Sequence, residues 1–380
     1  MENLVLHFSN CVTDGYKIWF ASEDFNGLFC GDLKEHAVEY VSSFPNEKFL
    51  ERYLYWNVVD CKDNMLFVPN RAKQLAVYNR KCNTLRQIPF SDGYSKLYGG
   101  CFYDDCVFMC HRGNSGMIKY DLKRDVIMEI FLSDYKEKTD EWYMYWMDKY
   151  ILLEDIIVLF NNYRQSLVFY CISANKTWDF LLEQDRRKVI DFEIFDRSIV
   201  VLYDDGYIVI YRQEEKKLKK QNSYEAKKLK GKRLKFRKRG ERLWIFELSD
   251  YIREIYELDR ETCTLSTMST KERYLPHKGE RAYEYTCLEY YSYGDEYFYQ
   301  NNSGYFYKDI FGDRIQNPLT FKRSKLSFDN GILDDREVLK ETAGRMLAYF
   351  INFDIYCQNE TENNNMKNIG KKIFRETGKM

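Results

Sequence analysis

The sequence predicts an all-β fold: a seven-bladed β-propeller over residues 1–328, followed by a short C-terminal helical extension over 329–380. Three observations predict it. A strand–turn–strand phrase returns seven times, and the polar residues that close the return strands are spaced 40 to 52 residues apart. A four-stranded blade needs about 40–50 residues. The first strand of each phrase is apolar almost throughout, as expected of a strand covered on both faces. Flanking segments leave room for two further strands per phrase, and a closed ring of such sheets leaves only short edges.

The first phrase is Ile18–Ala21, a turn at Asn26-Gly27, and Leu28–Asp32, with Leu4–Phe8 before it and Val38–Val41 after it. The second is Met65–Val68 with Leu75–Asn79, flanked by Val58-Val59 and Leu85–Ile88. The third is Cys106–Cys110 with Met117–Asp121, and the fourth is Ile156–Phe160 with Leu167–Cys171. The fifth, Ile199–Tyr203 with Tyr207–Tyr211, follows Val189–Phe192. The sixth is Leu243–Phe246 with Ile252–Tyr256, and the seventh is Tyr297–Tyr299 with Tyr305–Asp309. Their closing residues are Asp32, Asn79, Asp121, Ser173, Gln213, Asp259 and Asp309. Beyond the repeat, Asp334 can cap a helix with Glu337 three residues on. Val338, Leu339, Met346, Leu347 and Phe350 then recur at helical spacing.

Composition supports a strand-rich chain. Aromatic residues make up 17%, with 33 Tyr and 26 Phe, and there are only five Pro. The eleven Cys are an odd number, many lie in apolar strands, and no leader-like segment opens the chain. Reduced, buried thiols and a cytoplasmic location are the expectation. No run of 18 apolar residues occurs, so no membrane partner is expected.

Charge is uneven along the chain. Residues Lys216 to Arg239 hold thirteen Lys or Arg against Glu225 alone, although the whole chain sums to −1. Such a run attracts anions. It also reads as the outer strand of one blade, a loop and the first strand of the next, where basic side chains discourage edge pairing. A solvated edge is the simpler reading, and nucleic acid is not an expected partner.

Several candidate sites emerge. Cys101, Cys106, Cys110 and His111 look metal-like, but Cys106 and Cys110 on one strand lie about 13 Å apart at ~3.3 Å per residue. One zinc would need both thiolates about 2.3 Å away, so no metal or other cofactor is expected. The turns inside each phrase carry Asn70 with Arg71, His111 with Arg112, and Tyr163 with Arg164. In a propeller these turns share a face with the connections between blades, and a rigid scaffold presenting such loops is a usual binding surface. Trp142 and Tyr143, in a connection between blades, add flat aromatic platforms. Catalytic residues are not expected: there is no G-x-S-x-G elbow, no phosphate-cradling glycine loop and no H-E-x-x-H. The adjacent acids Asp104-Asp105, Glu154-Asp155 and Asp204-Asp205 point to opposite strand faces and form no dyad by themselves.

The segment Asp14-Gly15-Tyr16-Lys17-Ile18-Trp19-Phe20-Ala21, followed by Asn26-Gly27-Leu28-Phe29, resembles the blade motif of bacterial sensor-type and NHL-like propellers. At the level of rhythm the chain resembles propeller proteins of Gram-positive bacteria with WD40- or kelch-like architecture. Gly99-Gly100 is the one kelch-like double glycine, and Trp178-Asp179 the one Trp-Asp pair. The resemblance implies a module that binds a protein, a peptide or a glycan; it transfers no functional residue. The expected function is non-catalytic binding of a protein or peptide through Asn70, Arg71, His111, Arg112, Trp142, Tyr143, Tyr163 and Arg164. The alternative is a carbohydrate-binding or carbohydrate-active propeller.

Overall fold

A computed structural model describes residues 10–268 and four short strands beyond them. Within 10–268 the description omits 15–16, 24–25, 33–36, 49–50, 91–96, 114, 133–145, 148, 183–186, 196–197, 215–216, 233, 240–241, 248–254 and 263. The expected C-terminal helices, the Leu4–Phe8 strand and the aromatic pair Trp142 and Tyr143 lie outside the described residues.

Among the described residues the regular structure is almost entirely antiparallel sheet. The first sheet holds β1 (Val12–Asp14), β2 (Lys17–Ala21), β3 (Leu28–Asp32) and β4 (Ala37–Ser42). The second holds β5 (Tyr55–Cys61), β6 (Asn64–Pro69), β7 (Gln74–Asn79) and β8 (Thr84–Pro89). The third holds β9 (Leu97–Tyr103), β10 (Cys106–His111), β11 (Gly116–Asp121) and β12 (Val126–Phe131). The fourth holds β13 (Ile151–Leu153), β14 (Ile156–Asn161), β15 (Ser166–Cys171) and β16 (Lys176–Leu181). The fifth holds β17 (Val189–Phe195), β18 (Ser198–Tyr203), β19 (Tyr207–Glu214) and β20 (Lys217–Glu225). The sixth holds β21 (Leu234–Arg239), β22 (Arg242–Glu247), β23 (Ile255–Asp259) and β24 (Thr264–Met268). A three-stranded sheet follows, from β25 (Glu289–Tyr293), β26 (Glu296–Gln300) and β27 (Phe306–Lys308). β28 (Thr320–Phe321) joins the first sheet, pairing parallel to β4.

The strand pairs of the repeated phrase are the second and third strands of these sheets. A strand not singled out from the sequence, Val12–Asp14, pairs with β2, with Val12 opposite Trp19. In the sixth sheet the described return strand is Ile255–Asp259, with Leu243 opposite Leu258; the expected residues 252–254 lie outside the described residues.

In the second, third and sixth sheets the polar residue that closes the return strand caps the turn after it. Asn79 Oδ1 accepts the N–H groups of Lys81 and Cys82, both at 3.0 Å. Asp121 does the same for Lys123 and Arg124, and Asp259 for Glu261 and Thr262. Each is an Asx turn that folds the chain back into the fourth strand. The preceding tyrosine pins the far side of two of these loops: Tyr78 donates to Asn83, and Tyr120 to Asp125. Asn83 and Asp125 both take a positive φ that Asn and Asp tolerate. In the fourth sheet Cys171, not Ser173, occupies the closing position, while Tyr170 still donates to Asn175 at 3.0 Å.

The hairpins joining first and second strands turn on two residues. Asp104 and Asp105 both have positive φ (45° and 59°), the requirement of a type I′ corner. The adjacent acids of the sequence are therefore hairpin corners here; Glu154 (φ 53°) and Asp155 sit at the matching corner.

The chain divides into two compact units. One comprises Met1–Lys96, Tyr291–Lys308 and the segment from Arg314; the other comprises Leu97–Tyr290 and Asp309–Asp313. In the first unit, Trp19, Leu28, Tyr55, Phe67 and Tyr78 join the first two sheets in one cluster. In the second, consecutive sheets pack face to face, and β18 shows how. Ile199, Val201 and Tyr203 enter the cluster shared with the fourth sheet, while Val200 and Leu202 enter the one shared with the sixth. Both faces are dry, which is why the strand lacks polar alternation. Each such side chain contributes about 1.5–3 kcal/mol by burial.

Candidate functional site

Two polar constellations stand out from this apolar frame. The first is the end of each sheet that carries the turn between second and third strands. Most side chains here build the turns themselves. Asn26, 1% exposed, accepts the Phe44 N–H at 2.8 Å and donates to Phe44 O and Glu47 O. Asn161, also 1% exposed, accepts the N–H groups of Tyr163 (3.0 Å) and Arg164 (2.9 Å). The carbonyl of Leu54 receives the N–H groups of Asn70, Arg71 and Ala72.

The sequence-selected residues divide accordingly. Asn70 is buried and donates to Tyr53 O at 3.1 Å, whereas Arg71 is exposed and lies over the Tyr53 ring. Both belong to the first unit. In the second unit His111 is buried at the end of β10, its Nε2 3.9 Å from Glu129. Burial pushes the His111 pKa below its usual value, against a smaller upward pull from Glu129. Arg112 is half-buried, Tyr163 is 52% exposed, and Arg164 pairs with Asp179 at 2.8 Å. Cys106 and Cys110 share one face of an unbroken strand and join a hydrophobic cluster that Cys101 packs against. Burial raises the Cys101 thiol to about 12 and pushes the Cys110 thiol up as well. Among the described residues, no group of His, Cys, Asp and Glu has the arrangement of a metal site.

In the second unit the turns of the fourth and fifth sheets are hydrogen-bonded to the connections that enter β17 and β21. Gln165 accepts the Val189 N–H at 3.2 Å, Lys188 O accepts the Asp204 N–H at 2.9 Å, and Gly206 O accepts the Ala226 N–H at 3.1 Å. A 3-10 helix, Lys227–Leu229, lies against the Asp204–Gly206 turn with Leu229 buried. The expected strand–loop–strand course of the basic run is correct: β20, this short helix and β21.

Two tyrosines of this region are clasped by cations. The Arg187 guanidinium sits 4.2 Å from the Tyr207 ring centroid, and Lys220 donates to the Tyr207 hydroxyl at 3.0 Å. Hydrogen bonds with Ser223 and Lys220 hold the Tyr207 phenol below its usual pKa. Tyr256 is buried under Lys228, 4.5 Å from its ring, and takes a hydrogen bond from Lys232 at 3.1 Å.

The second constellation was not singled out from the sequence. Lys149, just before β13, reaches Asp191 (3.1 Å) and Glu193 (3.0 Å) on β17. A register shift between Val189 and Asp191 bulges β17. Asp191 accepts two further bonds, from Phe192 N–H at 2.8 Å and Phe236 N–H on β21 at 2.7 Å. It thereby ties the first strands of the fifth and sixth sheets. The signal lay in two acids at alternate positions of an otherwise apolar strand, which share one face. Both carboxylates are bonded, so the cluster reads as a brace.

Among the described residues, no helix is long and apolar enough to cross a membrane. Neither a protein-family model nor a curated protein matches the chain. Solved structures do. A catalytically inactive virginiamycin B lyase from Staphylococcus aureus with quinupristin aligns at TM-score 0.58 and 12% identity, covering 80% of this chain and 94% of that one. BamB from Moraxella catarrhalis aligns at 0.52 and 10% identity, covering 80% and 84%. U3-55K aligns at 0.53 and 10% identity, covering 84% and 94%. These structures are β-propellers, and the likeness shows that fold.

Proposed function

We propose that the chain is a seven-bladed propeller acting as a non-catalytic interaction module, holding a protein or peptide partner on its turn-bearing end. The observation that carries this reading is the division of labour at the turns. Asn26, Asn70 and Asn161 spend their side chains fixing the loop backbone, while Arg71 and Tyr163 stand exposed on the loops so fixed. A rigid loop bearing an exposed aromatic or guanidinium loses little entropy on binding. On the second unit the proposed contacts are Arg112, Tyr163 and Arg164, with Trp142 and Tyr143, and on the first unit Arg71; Asn70 and His111 are the buried members of the set. The buried free thiols support a cytoplasmic location.

The carbohydrate alternative has less behind it. Lyases are among the proteins of similar fold, but the carboxylates that converge here, Asp191 and Glu193, are already bonded to Lys149.

The test is Arg112→Ala with Arg164→Ala. The Arg164–Asp179 pair is part-exposed and worth about 0–1 kcal/mol, so the double variant should melt within a few degrees of the parent. Quantitative pull-down should show partner recovery falling by about tenfold, roughly 1.4 kcal/mol. Full recovery by a folded double variant rejects this contact set.

A further inference from the structure

We propose that the partner is acidic, and that its carboxylates dock on a lysine cluster carried by the short helix Lys227–Leu229 and the residues after it. This rests on the turn-end reading above and names the partner's chemistry. The segment lies against the Asp204–Gly206 turn, so the cluster belongs to the same end of the fifth sheet.

The cations there are displayed outward. Lys227, Lys228 and Lys230 are exposed, and Leu229 between them anchors the segment in the core. Among the described residues Lys228 is held by neutral groups, the Thr267 hydroxyl at 3.2 Å and the Tyr256 ring. Lys227 and Lys230 have no side-chain ion pair among the described residues. Lys232 is fixed on the Tyr256 hydroxyl. Glu225 is the one acid between Lys216 and Arg239. In the facing turn Asp205 is paired with Arg187 at 2.8 Å and Asp204 accepts the Lys188 N–H. Among the described residues the lysines here are therefore in excess over the acids, which attracts and orients a negatively charged partner.

The chemistry favours carboxylates of a peptide over a nucleic acid strand. Single-strand binding needs exposed aromatic faces for base stacking. Among the described residues, two rings beside the lysines are already covered: Tyr256 is 1% exposed beneath Lys228, and Tyr207 carries Arg187 on its face. Lysine ammoniums are point charges without a bidentate fork. They suit scattered carboxylates along an extended chain.

The experiment measures anisotropy of three labelled probes on the full chain: a glutamate-rich peptide, its glutamine counterpart and an oligothymidylate. The glutamate peptide should bind, more weakly as salt rises, and the glutamine peptide should not. Lys227→Glu with Lys230→Glu should weaken it by at least about tenfold, and Lys227→Gln with Lys230→Gln by less. Absence of glutamate-peptide binding, equal binding by the reversed variant, or tighter binding of oligothymidylate overturns the proposal. The two readings separate in the pull-down. Loss with Arg112→Ala/Arg164→Ala but not with the reversed lysines keeps the turn-end reading and removes the acidic partner. Loss with neither removes both.

Discussion

Lys149 Nζ lies 3.1 Å from Asp191 Oδ1, while the other oxygen of Asp191 accepts the Phe236 N–H at 2.7 Å. One carboxylate therefore joins the residue preceding the fourth sheet to the first strands of the fifth and sixth. Asp191 is 4% exposed as a side chain and Lys149 17%, so the pair is shielded from solvent and salt. Removing the Asp191 carboxylate leaves Lys149 paired with Glu193 but strips the buried Phe236 N–H of its acceptor, which costs about 1–3 kcal/mol. Asp191→Ala should lower the urea-unfolding free energy by that order. Asp191→Asn, which can still accept the Phe236 N–H, should cost less. Lys149→Met combined with Asp191→Ala should cost less than the sum of the two singles; strict additivity would show that the pair does not couple.

Gly99 and Tyr150 are matched in shape. Gly99 has φ +58°, and a Cβ there would meet the Tyr150 ring at 1.8 Å. The ring is held over the glycine because its hydroxyl accepts the Cys110 N–H at 3.0 Å and donates to Tyr98 O. Gly99→Ala should destabilise by about 2 kcal/mol or more, from the φ strain and the displaced ring together. Tyr150→Phe keeps the ring and should cost about 1–3 kcal/mol by leaving a buried N–H without its acceptor. Thermal melts of the two variants check both.

Stability should depend on pH through His111. Its folded pKa lies below the ordinary 6.5 because of burial, so the unfolded chain takes up a proton first as pH falls. The stabilising contribution is complete above the unfolded value and is lost as pH drops through it. The lowered carboxylates Asp155 and Asp259 start from 3.8 and act only in more acidic solution. Urea midpoints should fall between about pH 7.5 and about pH 5.5, and His111→Gln should flatten that fall. An unchanged slope in the variant assigns the effect elsewhere.

The edge strand β12 is unusually apolar. Val126, Met128 and Phe131 are 44%, 43% and 72% exposed, on a strand whose hydrogen-bonded neighbour among the described residues is β11 alone. Exposed apolar edges recruit further strands. Met128→Lys should reduce concentration-dependent self-association in light scattering with little change in melting temperature. Scattering equal to that of the parent would clear this edge.

Much of the architecture was legible because it is built from local rules. An apolar run such as Ile199–Tyr203 is a strand buried on both faces, and Asn79, Asp121 and Asp259 each close a hairpin with their own side chain. Both signals lie within a few residues of their effect. A misplacement arose where local pattern was silent: Cys171, rather than Ser173, fills the closing position of the fourth sheet without an Asx side chain.

Of the residues picked for binding, position at a turn was readable and exposure was not. Asn70 and Arg71 are neighbours with equal turn character, yet one is buried against Tyr53 and Leu54 and the other projects outward. Lys149, Asp191 and Glu193 show the same limit more strongly, with 42 residues separating Lys149 from Asp191. The amino-acid order by itself determined the repeat, the strand pairs and the hairpin corners, because backbone geometry and side-chain hydrogen bonds act over one or two turns of chain. Only the tertiary structure decided which polar groups became core braces and which remained exposed cations, because burial and pairing depend on what neighbouring sheets bring within a few ångströms.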